Sequence, residues 1–278
     1  MTHRTFEEGI ERDFSDKLDY GGYLRLDQLL AAQEPLSQHH DEMLFIIQHQ
    51  TSELWMKLMV HELQGAIYFI KKDQLEPCFK ILSRVKQIQR MLFEQWSVLE
   101  TLTPTEYSQF RGMLGRASGL QSHQFRLIEY LLGNKDAQAV EVFRHKPSIY
   151  DQVSNALNQP SLYDEFLRHL ARRKLAVPAT VIDRDFSQPY VESEEVIQVF
   201  KKIYENPELY WDAYEMCEKL IDVEEGFLLW RFRHVKTVER IIGFKRGTGG
   251  SSGVPFLRKA VDIRLFPELW DVRTEIGK

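Results

Sequence analysis

Sulfur is scarce: Cys78 and Cys217 are the only cysteines in 278 residues. They cannot build a disulfide framework, and neither stands in a Cys-x-x-Cys spacing, so a secreted, stapled scaffold and a thiol redox motif are both excluded. That usage fits the reducing cytosol, and a cytoplasmic protein is expected. Positive charge is also in short supply, with 36 Lys+Arg against 41 Asp+Glu and a net charge of −5. A basic nucleic-acid-binding domain is therefore excluded as the default, and no nucleic-acid partner is expected. Long apolar runs are missing. Leu44–Ile47 and Ala66–Ile70 fall far short of the ~20 residues that cross a bilayer, and Met1–Glu8 lacks a signal peptide's apolar stretch. No membrane association is expected.

Breakers are few as well, with 15 Gly and 10 Pro, and between them apolar residues recur at three and four positions. That period is helical, and the fold expected is all-α: a single helical domain built on long bundle helices. Helical segments are expected at Tyr23–Gln33, Gln38–Asp73, about 75–99, 122–132, 136–144, 148–157, 161–174, and from Pro207 to Ile242. Thr103-Pro104-Thr105-Glu106 marks a further start, with an N-cap hydroxyl, a proline at the first helical position and a glutamate at the third. Ala176–Glu192 carries Pro178 and Pro189 and no sustained period, and is read as a loop ordering against the rest. No fixed-period repeat occurs, and residues 247–253, Gly-Thr-Gly-Gly-Ser-Ser-Gly, form the one low-complexity tract.

Two histidines fall in the middle of long helices beside large apolar groups. His49 shares a face with Phe45, Glu53 and Met56; His234 shares a seam with Phe227, Trp230, Val238 and Ile241. Each has two readings: a core histidine bonded to a carbonyl or water, or, for His234, a proximal ligand to haem iron. No histidine meets the Glu-x-x-His spacing of di-iron bundles, and His61-Glu62 does not continue into His-Glu-x-x-His. His39-His40 with Asp41 and Glu42 reads as a solvated helix start. Tyr107 and Arg111 lie one helical turn apart beyond the Thr103 cap, where a phenol and a guanidinium can hold a small carboxylate, or where the arginine stem simply packs on the tyrosine. Ser118, just beyond, brings a hydroxyl near whatever Arg111 binds. The 247–253 tract is either a flexible linker or a lid whose glycines let backbone approach a ligand.

Several blocks are longer and more specific. They are Tyr20-Gly21-Gly22-Tyr23-Leu24, then His40 to Gln50 with Glu53-Leu54-Trp55, Arg231-Phe232-Arg233-His234, Ile242 to Gly253, and Phe266-Pro267-Glu268-Leu269-Trp270. In this order they resemble the tryptophan 2,3-dioxygenases from about Tyr20 to Arg273, less distinctly between about 146 and 195. The resemblance implies a haem b enzyme, ferrous when active, that inserts O2 across the indole C2–C3 bond of L-tryptophan to give N-formylkynurenine, the first step of the kynurenine pathway. By the same resemblance, His234 is the axial iron ligand and His49 the distal histidine accepting the indole N–H. Phe45 packs on the indole, Tyr107 and Arg111 receive the carboxylate, Thr248 holds the ammonium end, and Ser118 borders the distal pocket. Tyr20, Tyr23 and Leu24 reach a neighbouring subunit's pocket within a homotetramer. Residues 1–19 are expected to be a flexible segment and residues 20–278 the haem dioxygenase domain. Two other classes compete, a cofactor-free helical interaction protein and a haem sensor or gas carrier. Colourless protein would mark the first, and a Soret band without tryptophan consumption the second.

Overall fold

The computed structural model describes residues 5–278; residues 1–4, part of the segment expected to be flexible, lie outside the described residues. Residues 5–19 form only turns and coil and are exposed. The helices follow in chain order: α1 Tyr20–Leu24, α2 Leu26–Leu29, α3 His40–Lys71, α4 Glu76–Glu94, α5 Trp96–Leu99, α6 Pro104–Arg111 and α7 His123–Leu132. They continue as α8 Pro147–Asn158, α9 Leu162–Arg172, α10 Ala179–Ile182, α11 Glu194–Glu205, α12 Trp211–Ile242, α13 Val254–Arg258 and α14 Pro267–Glu275. No β-strand occurs among the described residues, so the fold is all-α. None of the helices is long and apolar enough to cross a membrane.

Helix α4 turns back on α3 and packs in turn on α12, while α7 and α9 cover another side of α3. The core follows from the period. On α3, Met59, Leu63, Ala66 and Ile70 are fully buried, and they meet Leu82, Val85 and Ile88 of α4 and Met216, Leu220 and Val223 of α12 within one apolar cluster. A smaller cluster of Trp96, Leu99, Leu102, Tyr107, Phe110 and Ile241 sits at the other end of α3 and α12. The division along α3 is sharp: its buried apolar residues start at Met56, and toward the N-terminus Phe45 is only half-buried and His49 exposed. That half of the helix lines a cleft instead of a core.

Several boundaries differ from expectation for physical reasons. The first helix is two single turns, because Arg25 adopts the left-handed region at φ 53° and neither turn buries a residue that would propagate it. The segment expected at 75–99 is interrupted at Gln95, whose amide donates to Ser52 of α3 at 2.7 Å. The last long helix starts at Trp211 instead of Pro207, since the Asn206 carbonyl accepts from Leu209 and Tyr210 and closes a turn there. Residues 137–143 form a 3-10 helix. Helix α11, α13 and α14 were not expected at all, although Val196, Ile197, Val199, Phe200 and Ile203 place a buried helical stripe on α11. The 176–192 stretch is ordered against the rest: Val177 and Val181 are buried and Arg184 pairs with Asp164 at 2.9 Å. Glu42 is buried, not solvated, and accepts from the Leu36 and Ser37 amides at 2.8 and 2.7 Å, tying the chain entering α3 to its first turn.

The C-terminal segment is tied to α12 by one carboxylate. Glu224, fully buried, accepts from the backbone N–H groups of Leu265 and Phe266 at 2.5 and 3.0 Å. Glu224→Leu leaves both donors unpaired in the core and is expected to destabilise the fold by about 2 to 4 kcal/mol, with Glu224→Gln intermediate. Urea titration checks this; a midpoint unchanged in Glu224→Leu would show that the clamp contributes nothing.

Candidate active site

Four of the residues singled out in the sequence meet at the cleft end of α3. The i, i+4 spacing brings the Phe45 ring to 4.2 Å from the His49 ring, and the Phe45 ring also lies 5.7 Å from both Tyr107 and Phe110 of α6. Helix α6 starts where the sequence indicates, with Thr103 and Glu106 forming a reciprocal capping box, which sets the register that turns Tyr107 inward. Tyr107 is 6% exposed, and burial raises its phenol above the ordinary value while Arg111 partly offsets that, so it is a neutral donor.

His49 is exposed to solvent, yet desolvation by the surrounding protein is the largest influence on its ring. A side chain both reachable by water and crowded by protein lines a concave wall. Its Nδ1 lies 2.7 Å from the Phe45 carbonyl oxygen. A carbonyl only accepts, so Nδ1 carries the proton; desolvation lowers the imidazole pKa against smaller opposing effects of Phe45 and Glu53, and the ring is neutral near pH 7. Nε2 is then left with a lone pair. The bland reading, a histidine bonded to a carbonyl, accounts for one nitrogen and frees the other as an acceptor.

His234 lies in a different setting. Its ring stacks on Trp96 at 5.0 Å and 15° and on Trp230 at 5.4 Å and 29°. Burial pushes its pKa down to about 4, and the positive form of His49 adds to the shift, which puts the two imidazoles within electrostatic reach of each other. At neutral pH the ring is uncharged and its lone pair is available to a metal. No group of three or more His, Cys, Asp or Glu side chains that could hold a metal occurs among the described residues. A lone neutral imidazole stacked against two adjacent indoles, themselves 5.9 Å apart, suits a metal whose other ligands come from a macrocycle, and the residues present fit haem iron.

The Gly-rich tract closes over the mouth between these elements. Arg111 donates to the Arg246 carbonyl at 2.6 Å, and its Nε is buried without a partner. Thr248 donates to the Ala117 carbonyl. Gly249 passes so close to Ser118 that a β-carbon there would lie 2.7 Å from the serine Cβ. Gly253, at φ +74°, would bring one to 2.5 Å from the Lys245 carbonyl. With Gly247 also donating to the Ser251 carbonyl at 3.1 Å, the tract is folded against its neighbours instead of running free as a flexible linker. It brings Thr248 and Ser118 to the Arg111 side of the cleft.

Tyr20, Tyr23 and Leu24 are not part of this assembly. They are 75%, 72% and 40% exposed on α1. Sequence reasoning also missed Trp96, Phe110 and the Arg246 carbonyl. Trp96 and Phe110 each fall on a helical apolar stripe, which marks burial and not which cavity is lined, and a backbone carbonyl leaves no trace in composition.

The sequence model of the family described as Tryptophan 2,3-dioxygenase matches residues 6–159 and 198–276. The match reaches further toward the N-terminus than the quoted blocks and leaves out part of the stretch where the resemblance is less distinct. A protein named tryptophan 2,3-dioxygenase from Myxococcus xanthus (strain DK1622) is 62% identical over 278 residues, covering 99% of this chain and 96% of the relative. Proteins of the same name from Serratia proteamaculans (strain 568) and Kineococcus radiotolerans (strain ATCC BAA-149 / DSM 14245 / SRS30216) are 61% and 58% identical, covering 100% and 99% of this chain and 100% and 96% of the relatives. On its fold, its cleft and these likenesses, the chain belongs to the tryptophan 2,3-dioxygenase family.

Proposed function

We propose that this chain is a haem b-dependent dioxygenase that inserts both atoms of O2 across the indole C2–C3 bond of L-tryptophan and releases N-formylkynurenine. The observation that carries the reading is the pairing of two neutral imidazoles within electrostatic reach, one stacked against two indole rings and one with a free acceptor nitrogen beside a phenylalanine. His234 holds the iron. When bound in its ferrous state, the haem supplies the O2-binding and oxidising chemistry, and the protein supplies orientation.

The substrate is a flat apolar ring with a zwitterionic tail, and the cleft has a part for each. Phe45, backed by Tyr107 and Phe110, offers an aromatic wall to the indole. His49 Nε2 accepts the indole N–H and fixes which edge of the ring is presented. The fixed tautomer makes His49 a positioning acceptor throughout. Arg111, with an unpartnered Nε, and the Tyr107 phenol take the carboxylate, and Thr248 takes the ammonium end. Ser118 borders the distal pocket. The lid excludes water from the bound ring.

The chain acts as a homotetramer in the cytoplasm. Phe6, Phe14, Leu18, Tyr20, Tyr23 and Leu30 all stand exposed along the N-terminal segment, an apolar surface that a partner subunit covers, with Tyr20, Tyr23 and Leu24 completing that subunit's pocket. Both cysteines are free and buried, as suits a reducing compartment.

His234→Ala is expected to lose the Soret band on haem reconstitution; a normal band with normal turnover would contradict the ligand assignment. Arg111→Lys is expected to lower kcat/KM for L-tryptophan about 10- to 100-fold, the loss of a bidentate charge-assisted pair. It is expected to leave tryptamine, which lacks the carboxylate, nearly unaffected; an equal loss on both would place Arg111 elsewhere. Protonation converts His49 Nε2 from acceptor to donor, and its pKa lies below the ordinary 6.5. The value of kcat/KM should therefore stay level near neutrality and fall about tenfold per pH unit only below that lowered pKa. Persistence of the acid limb unchanged in His49→Ala would assign it to another group.

A further inference from the structure

The turn of α12 that carries His234 is gripped from one side by a carboxylate outside the substrate cleft. Glu100, directly after α5, accepts through Oε1 from Arg233 Nε at 3.2 Å and from the Thr237 hydroxyl at 2.8 Å, and through Oε2 from Arg233 Nη2 at 3.1 Å. Arg233 and Thr237 are one turn apart and bracket His234 in the chain, so both donors stand on one side of the turn bearing the imidazole. The Arg233 guanidinium also lies over the Phe93 ring, 4.6 Å from its centroid, which keeps its fork in place from the α4 side. That guanidinium holds the Glu100 carboxyl below the usual carboxylate range, so the clamp is ionic at neutral pH.

Trp96 lies one turn before Glu100, and its ring stacks on His234. Two contacts spaced by one turn of α5 therefore meet one turn of α12: a flat stack on the imidazole itself and an ionic clamp on its flanks. This matters because a metal-binding histidine is ordinarily oriented by a hydrogen bond from its other ring nitrogen. No hydrogen bond joins a His234 ring nitrogen to protein among the described residues, and its ring is held by the stacks on Trp96 and Trp230. Its orientation has to come from stacking and from the helix that bears it.

We propose that Glu100 is a positioning residue for His234, clamping Arg233 and Thr237 so that this turn of α12 and the Trp96 stack together set the plane in which the imidazole meets the iron. The inference rests on His234 being the iron ligand, and the test separates the two claims. Full-length, haem-loaded wild type, Glu100→Ala, Glu100→Gln and His234→Ala are compared by low-frequency resonance Raman of the ferrous protein, steady-state kinetics and thermal unfolding. In Glu100→Ala the iron–histidine band is expected to shift and broaden, and kcat to fall about 10- to 100-fold, the usual effect of removing an outer-shell partner. KM for L-tryptophan should hold, because the substrate-binding side chains lie on other elements. Glu100→Gln, which keeps one acceptor oxygen and adds a like-facing donor, should fall between. An unchanged band and kcat in Glu100→Ala overturn the inference, whatever happens to stability. Survival of the band in His234→Ala overturns the underlying ligand assignment instead. If Glu100→Ala does not fold, Thr237→Val, which removes one of the three bonds, is read in its place: a smaller shift in the same direction supports the clamp, and none overturns it.

Discussion

A histidine stacked against two neighbouring tryptophan rings must stay uncharged, and the rest of the site is arranged around that constraint. Removal from water costs an imidazolium far more than an imidazole, which is why His234 titrates only near pH 4. Neutrality is also what the proposed role as a ligand requires, since a protonated ring has no lone pair to give. The same physics acts across the cleft on His49, where the Phe45 carbonyl selects the proton's position and desolvation keeps the second nitrogen bare. Neither ring needs a carboxylate to do this. Neutrality comes from desolvation in both rings, and the one backbone oxygen fixes the tautomer of His49.

The helices that carry the two rings are divided along their length. Helix α3 spends its C-terminal half in the core, through Met59, Leu63, Ala66 and Ile70, and its N-terminal half on the cleft. Helix α12 keeps Met216, Leu220 and Val223 in the main core, and its later turns carry His234 beside a further buried set of Val235, Thr237 and Ile241. Rigid, well-packed halves thereby hold two functional halves at a set separation. Two carboxylates add polar ties, Glu224 of α12 inside the core to the C-terminal segment and Glu100 beside the histidine turn. The lid adds the one element made from loop, and its glycines at 249 and 253 are demanded by contacts with Ser118 and Lys245 that any β-carbon would prevent.

Much of this was readable from the residues. Long uninterrupted helical periods gave the all-α class, and the Thr103-Pro104-Thr105-Glu106 signal marked α6 correctly, because capping is a local interaction whose partners are close in sequence. Spacing also put Phe45 beside His49 and Trp230 beside His234. What spacing could not decide was whether those histidines were inert core residues or working groups, since that depends also on partners far off in the chain, such as Trp96 for His234 and Tyr107 beside Phe45. The 247–253 tract looked like a linker for the same reason: its order comes from Arg111, Ala117 and Ser118, far off in the chain. The stripe on α11 was within reach of the period and was overshadowed by the proline-bearing stretch before it. Tyr20 and Tyr23 stay exposed on α1, and the pocket proposed to receive them belongs to another copy of the chain.

The most direct test is a structure of the full-length protein loaded with ferrous haem and L-tryptophan under anaerobic conditions. The expected result has a ring nitrogen of His234 bound to iron on one face, with the substrate on the other and its indole N–H directed at His49 Nε2. An axial ligand from any other residue, or a substrate ring bound away from Phe45 and His49, would contradict the account at its centre.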